Sequence, residues 1–572
     1  MYLRHLFSII FLLIIQFAQS QSLPHYMTAR EKSLMMQEAL LPVAPAASDV
    51  FLLPPQKRVR TIAEWEALQA LQITWTSYPS ILTEIIRAAK QECRVYIVCN
   101  NTQSVIDYLS ARGIDTVNVS FVNTRFNSVW SRDYGPWTAY SNDVDSLYTI
   151  DWKYNRPRPQ DDTIPYTLGR LLQTPTFTTT TAPWKLVNTG GNFMTDGFGT
   201  GFASKLILDE NKTLSEAGVD SIMQNFMGIN RYIKMTTLPY DDIHHIDMHM
   251  KLLDEETLLV GQYPDGVADG PQIEANLQYI LTNFKSVFGT PFKVIRIPMP
   301  DDKGKYPNNR GRYFTYTNAS FINKTVIVPT YDIPTDTTAL RIYRDALPGY
   351  NIVGINSLQS IGALGALHCI TKEIGEQNPL LISHQALRNT NNTSKPYMVR
   401  AYLKHVSGIR QARIFWRTDS LQPYKMVVMN RVQGQQNIWS GNIPAQTAGK
   451  TIYYYIQGKS NDGKIQNRPM PAPAGYWKFS ISNNNITSNI STQPPFPNPA
   501  QGLVTISASA KHDTKIAITI STTDHLKIKE VYNGWINGHK TFQVNINDLK
   551  PGLYLIEYKW EGKVICEKLF VQ

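Results

Sequence analysis

Five short segments, far apart in the chain, hold the side chains that could carry out a covalent reaction. An ordinary cysteine is mostly protonated at neutral pH and the thiolate is the attacking species, so a nucleophilic cysteine needs a base nearby. Of the four cysteines, only Cys369 lies in a segment of this kind, and His245 offers the base. The segments are Trp130-Ser-Arg-Asp133, Thr189-Gly-Gly-Asn192, His245-Ile-Asp247-Met-His249, Thr315-Tyr-Thr-Asn318 and Leu367-His-Cys369.

Asp133 and Asp247 indicate the charge of the ligand. Two carboxylates that neither attack nor bind a metal are best explained by a cationic group, and such a fork suits a planar guanidinium. Residues two apart in an extended segment face the same side, so we expect His245 and Asp247 to project together into a cleft. By the same rule, His368 should point away from its neighbour Cys369. The pattern predicts an enzyme acting on an arginine-like substrate.

Two alternatives use these residues differently. His245, Asp247 and His249 could share one face and bind a metal, but they lack the helical spacing of a zinc protease. A metal would also leave Cys369 and Asp133 without a role, so we predict no metal site. Cys369 could instead be a buried small hydrophobic residue, as free cysteines often are.

The order of predicted elements indicates an α/β protein followed by β-rich domains. Residues 58–388 alternate short apolar strands with helical stretches. Residues 396–482 carry strands rich in Tyr, Ile and Val that predict an immunoglobulin-like β-sandwich. A polar linker at 483–497 leads into a second β-rich segment at 498–572.

The ends of the chain and its composition limit where the protein is located and what it binds. Residues 1–20 have the charged, apolar and small-residue regions of a secretory signal, and 21–57 are predicted to be a propeptide. After the signal, no segment approaches the length of a membrane span. Of the 572 residues, 42% are hydrophobic and 18% charged, which is typical of globular domains. The net charge of +11 is scattered rather than gathered into a basic stripe, which argues against nucleic acid as a partner.

Taken in order, these motifs resemble those of the guanidino-group-modifying enzymes, and within them the porphyromonad type of bacterial peptidylarginine deiminase, with agmatine deiminases as the nearest cousins. The resemblance implies a five-bladed α/β propeller with its site on the pseudo-axis. It implies that Cys369 attacks the guanidinium carbon while Asp133 and Asp247 hold the nitrogens. His245 would protonate the departing ammonia and then activate water, and Asn318 would support this geometry. This chemistry requires no cofactor, and the sequence leaves a structural calcium ion open.

The resemblance also bears on the substrate. Arg156 and Arg158 look like the two substrate-facing arginines of the family and, with Trp130, are assigned to substrate binding. They could bind a carboxylate, which agmatine lacks. Asp242, three residues before His245, would repel such a group, so the preference between C-terminal and internal arginine stays open.

Three functions are therefore weighed. A secreted peptidylarginine deiminase acting on peptide or protein arginine is favoured, because export argues against the cytoplasmic metabolite agmatine. Tyr134-Gly-Pro-Trp137 looks closer to the agmatine deiminases, which keeps that activity as the alternative. A secreted module that only binds cationic peptides would need Asp133 and Asp247 but neither Cys369 nor His245.

The C-terminal segment resembles the sorting domains of type IX secretion. The likeness rests on Asn498-Pro499, Pro551-Gly-Leu-Tyr554 and the terminal Lys568-Leu-Phe-Val-Gln572. It implies the type IX secretion machinery as a partner, and a protein that is secreted or attached to the outer-membrane surface.

Overall fold

The computed structural model describes residues 23–38, 50–264, 267, 269–300, 314–482 and 490–572. The predicted signal at 1–20 lies outside the described residues. Within the described part of the chain, no helix is long and apolar enough to cross a membrane.

The largest unit contains strands β1 to β19. In chain order they are β1 (Val50–Phe51), β2 (Val59–Thr61), β3 (Leu68–Thr74), β4 (Arg94–Cys99), β5 (Val119–Asn123), β6 (Trp137–Ser141), β7 (Leu147–Tyr154), β8 (Thr176–Thr179), β9 (Val187–Asn188), β10 (Met194–Thr195), β11 (Thr200–Ser204), β12 (Arg231–Met235), β13 (Met250–Asp254), β14 (Thr257–Gln262), β15 (Lys293–Pro298), β16 (Ser320–Ile322), β17 (Thr325–Thr330), β18 (Asn351–Asn356) and β19 (Lys372–Gly375).

Helices lie before and between these strands. They are α1 (Ala29–Glu38), α2 (Pro79–Ala89), α3 (Thr102–Ser110), α4 (Ser131–Tyr134), α5 (Ile164–Leu172), α6 (Leu206–Asp209), α7 (Glu216–Met227), α8 (Gly270–Asn283), α9 (Thr335–Ala346) and α10 (Leu358–Ile361), with 3₁₀ turns at Asp161–Thr163, Gly190–Asn192 and Ile246–Met248.

Five sheets in this unit share one connectivity. In each, an antiparallel pair is followed by a parallel strand, giving β19–β3–β4, β6–β7–β8, β10–β11–β12, β13–β14–β15 and β16–β17–β18. A parallel step needs a crossover, and helices occupy each of these five connections. Strands β14 and β17 are nearly continuous apolar runs, and α2 buries Ile81, Leu82, Ile85, Ile86 and Ala89 in a core shared with β4 and β17. The predicted α/β class is confirmed.

The second unit is all β. Its strands are β20 (Leu381–Ser383), β21 (Tyr397–Lys404), β22 (Ile409–Arg417), β23 (Lys425–Arg431), β24 (Ile438–Ile443), β25 (Thr451–Ser460), β26 (Ile465–Arg468) and β27 (Trp477–Ser480). Buried and exposed residues alternate along β21, and one core gathers around Trp416 and Tyr454. Because β20 pairs with β21, this unit reaches back before the predicted boundary at 396.

The third unit is also β-rich. It consists of β28 (Ile490–Phe496), β29 (Leu503–Ser521), β30 (Lys527–Asn545), β31 (Gly552–Trp560) and β32 (Lys563–Val571). Strand β28 lies in the segment predicted as a linker. It forms a strand because its residues pair with the first half of β29.

Candidate functional site

The structure brings the eight predicted site residues together, all of them buried. They come from strand ends or the turns beside them, as is usual in α/β folds. They are Trp130, Asp133, Arg156, Arg158, His245, Asp247, Asn318 and Cys369.

Asn318 organises the segment that carries Cys369. Its Oδ1 accepts hydrogen bonds from the backbone N–H groups of Ala366 at 3.2 Å and His368 at 3.1 Å. Its Nδ2 lies 3.2 Å from the Cys369 Sγ. One amide side chain thus fixes both the backbone turn and the thiol.

Asp247 is paired with His368 on the opposite side of the thiol. The His368 Nδ1 lies 2.7 Å from Asp247 Oδ2, and its Nε2 lies 2.8 Å from Glu64 Oε1. The Cys369 Sγ is 3.7 Å from the same Asp247 oxygen. Burial alone would raise the pKa of Asp247, but the hydrogen bond and charge of His368 hold it below its ordinary value.

Two expectations about this region are wrong. Ile246–Met248 forms a 3₁₀ turn, so His245 and Asp247 do not converge through the alternation of an extended chain. His368 does not point away from the site, because the chain turns at 367–370 instead of running as a strand. Thr317 Oγ1 donates to the Asp247 carbonyl at 3.1 Å. This hydrogen bond joins the 3₁₀ turn to the segment that carries Asn318.

Asp133 faces a histidine from the N-terminal segment. The His25 Nε2 lies 2.7 Å from Asp133 Oδ2, and the imidazole stacks on the Trp130 ring at a centroid distance of 4.4 Å. Tyr154 donates to the same carboxylate oxygen at 3.3 Å. Burial would raise the pKa of Asp133, but the charges of His25 and His245 hold it well below its ordinary value.

One oxygen of each carboxylate stays free. Within the described part, Asp133 Oδ1 and Asp247 Oδ1 are buried and accept no hydrogen bond. Buried acceptors without partners are costly, so the pair is suited to a ligand that donates to both.

His245 lies between these groups. Its Nδ1 is 3.8 Å from Asp133 Oδ1, and neither ring nitrogen has a hydrogen-bond partner among the described residues. Burial lowers its pKa to about 3, although Asp133 acts in the opposite direction. A Cβ on Gly191 would lie 2.3 Å from the His245 Nδ1, so the glycine is needed for this close approach.

The thiol of Cys369 is protonated in this arrangement. Burial raises its pKa well above 9.0, and the carboxylates of Asp247 and Asp133 raise it further. A cationic ligand between those carboxylates would reverse the second effect and favour the thiolate.

Arg156 and Arg158 follow the end of β7 and contact the N-terminal segment. The Arg156 Nε donates to the His25 carbonyl at 3.2 Å, and the Arg158 Nη2 donates to the Pro24 carbonyl at 2.7 Å. Arg158 also pairs with Glu31, with its Nε 2.8 Å from Oε1. Asp242 is exposed to solvent, so its repulsion of a ligand is weakened by water.

The alternative metal site does not form as the alternation suggested. In the described part of the chain, the ligand atoms of His245, Asp247 and His249 are not gathered. His245 instead lies with His25 and Asp133, whose ligand atoms are within 4.8 Å of one another.

Three contributors were missed from the sequence. His25 belongs to a segment predicted only as propeptide, and Glu64 has no motif around it. A signal for the N-terminal segment was available in Thr28-Ala-Arg-Glu31, the spacing of a helix capping box. His368 was assigned a direction from an incorrect secondary structure.

The comparisons with known proteins agree with this geometry. The Porphyromonas-type peptidyl-arginine deiminase family matches residues 60–375. A proposed agmatine deiminase of Vibrio parahaemolyticus is 23% identical over 359 residues, which cover 57% of this chain and 94% of that protein.

Solved structures share the fold of the largest unit. A proposed arginine deiminase of Porphyromonas gingivalis superposes with a TM-score of 0.50 at 22% identity, covering 56% of this chain and 99% of that one. An agmatine deiminase of Enterococcus faecalis superposes with a TM-score of 0.51 at 20% identity, covering 58% and 100%.

The C-terminal unit is assigned by its own match. The secretion system C-terminal sorting domain matches residues 495–572, and this type IX sorting domain directs the protein to the cell surface or the extracellular space. With more than half of its length matched, the chain belongs to the Porphyromonas-type peptidyl-arginine deiminase family.

Proposed function

We propose that this protein is a secreted peptidylarginine deiminase that hydrolyses the guanidinium of peptide arginine to citrulline and ammonia. The observation that carries the proposal is the way the site holds a peptide. Arg156 and Arg158 donate to two consecutive backbone carbonyls, those of His25 and Pro24, while Asp133 binds the cationic side chain between them.

These contacts separate the possible substrates. A peptide arginine presents a carbonyl to Arg156 and another to Arg158, and a C-terminal arginine presents a carboxylate to Arg156. Agmatine has neither group and carries a second positive charge close to two arginines. The chain passes through the site and continues beyond His25 as α1, which supports acceptance of internal arginine.

The reaction begins with binding of the guanidinium between Asp133 and Asp247. Their free Oδ1 atoms accept its N–H groups, and the cation lowers the pKa of the Cys369 thiol. The thiol gives its proton to His245, and the resulting thiolate attacks the guanidinium carbon to give a tetrahedral adduct. His368, acting through Asp247, is a positioning residue.

His245 completes the two halves of the reaction. In its protonated form it gives a proton to the departing nitrogen, so that the C–N bond breaks, ammonia leaves and a thiouronium remains on Cys369. It then takes a proton from water, which attacks the same carbon, and the C–S bond breaks to release the ureido product and the thiolate. Side chains of the protein supply every step, so we propose that no cofactor takes part.

Two further features belong to the proposal. We infer that the five sheets of shared connectivity are the blades of a five-bladed propeller. We also infer that the second unit is an immunoglobulin-like β-sandwich.

The test uses the full-length secreted protein with four substrates in the presence of a chelator. These are a peptide ending in arginine, a peptide with internal arginine, free arginine and agmatine, and ureido product is quantified from each. Turnover of peptides is expected, and the ratio between the two peptides measures the terminal preference. Turnover confined to agmatine would replace the proposal by the agmatine deiminase activity, which the names of the relatives favour. Binding of the peptides without product would favour a binding module.

A further inference from the structure

Residues 23–38 lie in the substrate site as a peptide would. Three consecutive carbonyls are held from outside the segment, since Trp130 Nε1 donates to that of Leu23 at 2.9 Å and the two arginines bind the next two. The His25 N–H donates to the Ala363 carbonyl at 3.1 Å. The backbone is therefore fixed on both sides of the residue that enters the pocket.

The side chain of His25 occupies the position that a cationic group needs. Its Nδ1 lies 2.8 Å from the Leu364 carbonyl and its Nε2 lies 2.7 Å from the Asp133 carboxylate. Both partners are acceptors, so both ring nitrogens are placed to donate, which is the arrangement of an imidazolium. A planar cation thus stacks on Trp130, pairs with Asp133 and lies 4.7 Å from the His245 ring.

Glu31 anchors the segment at a second point. It closes a capping box with Thr28, whose N–H donates to Glu31 Oε2 at 2.8 Å while Glu31 N–H donates to the Thr28 hydroxyl at 3.2 Å. The capping box fixes the carboxylate that pairs with Arg158. The Glu31 carboxylate is therefore already oriented for its ion pair with Arg158.

Polar contacts attach the segment that begins α1 to the rest of the chain. Arg30, Lys32, Ser33 and Leu34 are exposed on the outer face of α1. Docking of the segment therefore draws on the pairs His25–Asp133 and Glu31–Arg158.

We propose that residues 23–38 are an intramolecular inhibitor in which His25 takes the place of the substrate guanidinium. The face of Trp130 and the donors of Arg156 and Arg158 cannot hold this segment and a substrate peptide at once, so the segment must leave before a substrate binds. The inhibition presupposes the deiminase activity proposed above, but occupancy of the site does not.

The experiment compares three full-length variants with the wild type. His25→Ala removes the cation from the pocket, Glu31→Gln weakens the anchor at Arg158, and Lys32→Ala is the matched control on the exposed face of the same helix. Two readouts are taken in the presence of a chelator: kcat/KM for an arginine peptide, and the rate at which iodoacetamide alkylates Cys369, followed by peptide mapping. Thermal unfolding verifies that each variant is folded.

We expect alkylation of Cys369 to rise by about 10- to 100-fold in His25→Ala, because losing a hydrogen bond to a charged group changes an equilibrium by about that factor. The rise should be smaller in Glu31→Gln and absent in Lys32→Ala. Turnover of the peptide should rise in the same order. Alkylation needs no turnover, so a rise in alkylation without any peptide turnover would support occupancy of the site by the segment while rejecting the proposed activity. Unchanged or slower alkylation in both His25→Ala and Glu31→Gln would overturn the inhibitor, whatever the turnover.

Discussion

The two carboxylates of the site are each paired with a histidine, but the two histidines belong to different parts of the molecule. His368 is adjacent to the thiol in sequence, and it lies 2.7 Å from Asp247. His25 precedes the whole deiminase region and lies at the same distance from Asp133. In both pairs each ring nitrogen faces an acceptor, which is the arrangement of an imidazolium.

The surroundings of the two pairs differ. The second nitrogen of His368 pairs with Glu64, which also binds Lys251, so the imidazolium is part of a buried network of the domain. The second nitrogen of His25 contacts only a backbone carbonyl. The segment that carries His25 is otherwise held by its contacts with Arg156 and Arg158. One histidine therefore orients its carboxylate permanently, whereas the other competes with the ligand for its carboxylate.

The largest effect should come from the thiol that both pairs face. Cys369→Ala should lower turnover of an arginine peptide by more than about 10³-fold, because the covalent route is lost. Thermal unfolding should change little by comparison, and Cys566→Ala, on the exposed edge of the sorting domain, is the matched control. Undiminished turnover in the Cys369 variant would reject the covalent mechanism.

Replacing His368 should act in the opposite direction from replacing His25. His368→Gln should lower kcat/KM by about 10- to 100-fold, since a hydrogen bond to a buried charge is lost. The same change removes the group that lowers the pKa of Asp247, so that pKa should rise. The acid limb of the kcat/KM profile should therefore move to higher pH.

A merely structural role for His368 would predict a different result. Activity would fall in proportion to the folded fraction, and the acid limb would stay in place. Measuring the pH profile beside a thermal unfolding curve separates the two.

The sequence predicts which residues group at this site better than it predicts their geometry. The types of Cys369, His245, Asp133 and Asp247 require certain partners whatever the fold, so they could be grouped without a structure. The path of the chain between them could not be read, because a 3₁₀ turn at Ile246–Met248 and a strand give the same short pattern.

The occupant of the site was the least predictable part. A capping box predicts that α1 begins after Thr28, but it gives no information about where the helix docks. Docking depends on His25 and Glu31 meeting residues more than a hundred positions away in sequence, and such long-range pairs leave no local pattern.

A smaller effect is expected at Arg156, which contacts the peptide backbone and not the side chain that enters the site. Arg156→Ala should raise KM for arginine peptides by about tenfold, since a charged donor to a backbone carbonyl is lost, and change kcat little. Agmatine offers no such carbonyl and carries a second positive charge, so its Ki as a competitor, measured in the same assay, should not rise. Equal changes in both constants would mean that Arg156 acts on the site as a whole and does not read the peptide backbone.

The smallest expected effect is the response of the docked N-terminal segment, residues 23–38, to low pH. Burial would raise the pKa of Glu31, but the hydrogen bond and charge of Arg158 lower it below 4.5, so the ion pair stabilises docking above that pH and is lost as the pH falls through the lowered value. Amide exchange in α1, corrected for its intrinsic pH dependence, should be constant from neutral pH to about 5 and accelerate below 4.5. Protonation of Glu31 converts a charge-assisted hydrogen bond of this buried pair into a neutral one, a loss of about 1 kcal/mol, so the change should be about fivefold. Glu31→Gln should remove this dependence while strand β29 exchanges as before. If the variant kept the acid response, another group would have to hold the segment in place.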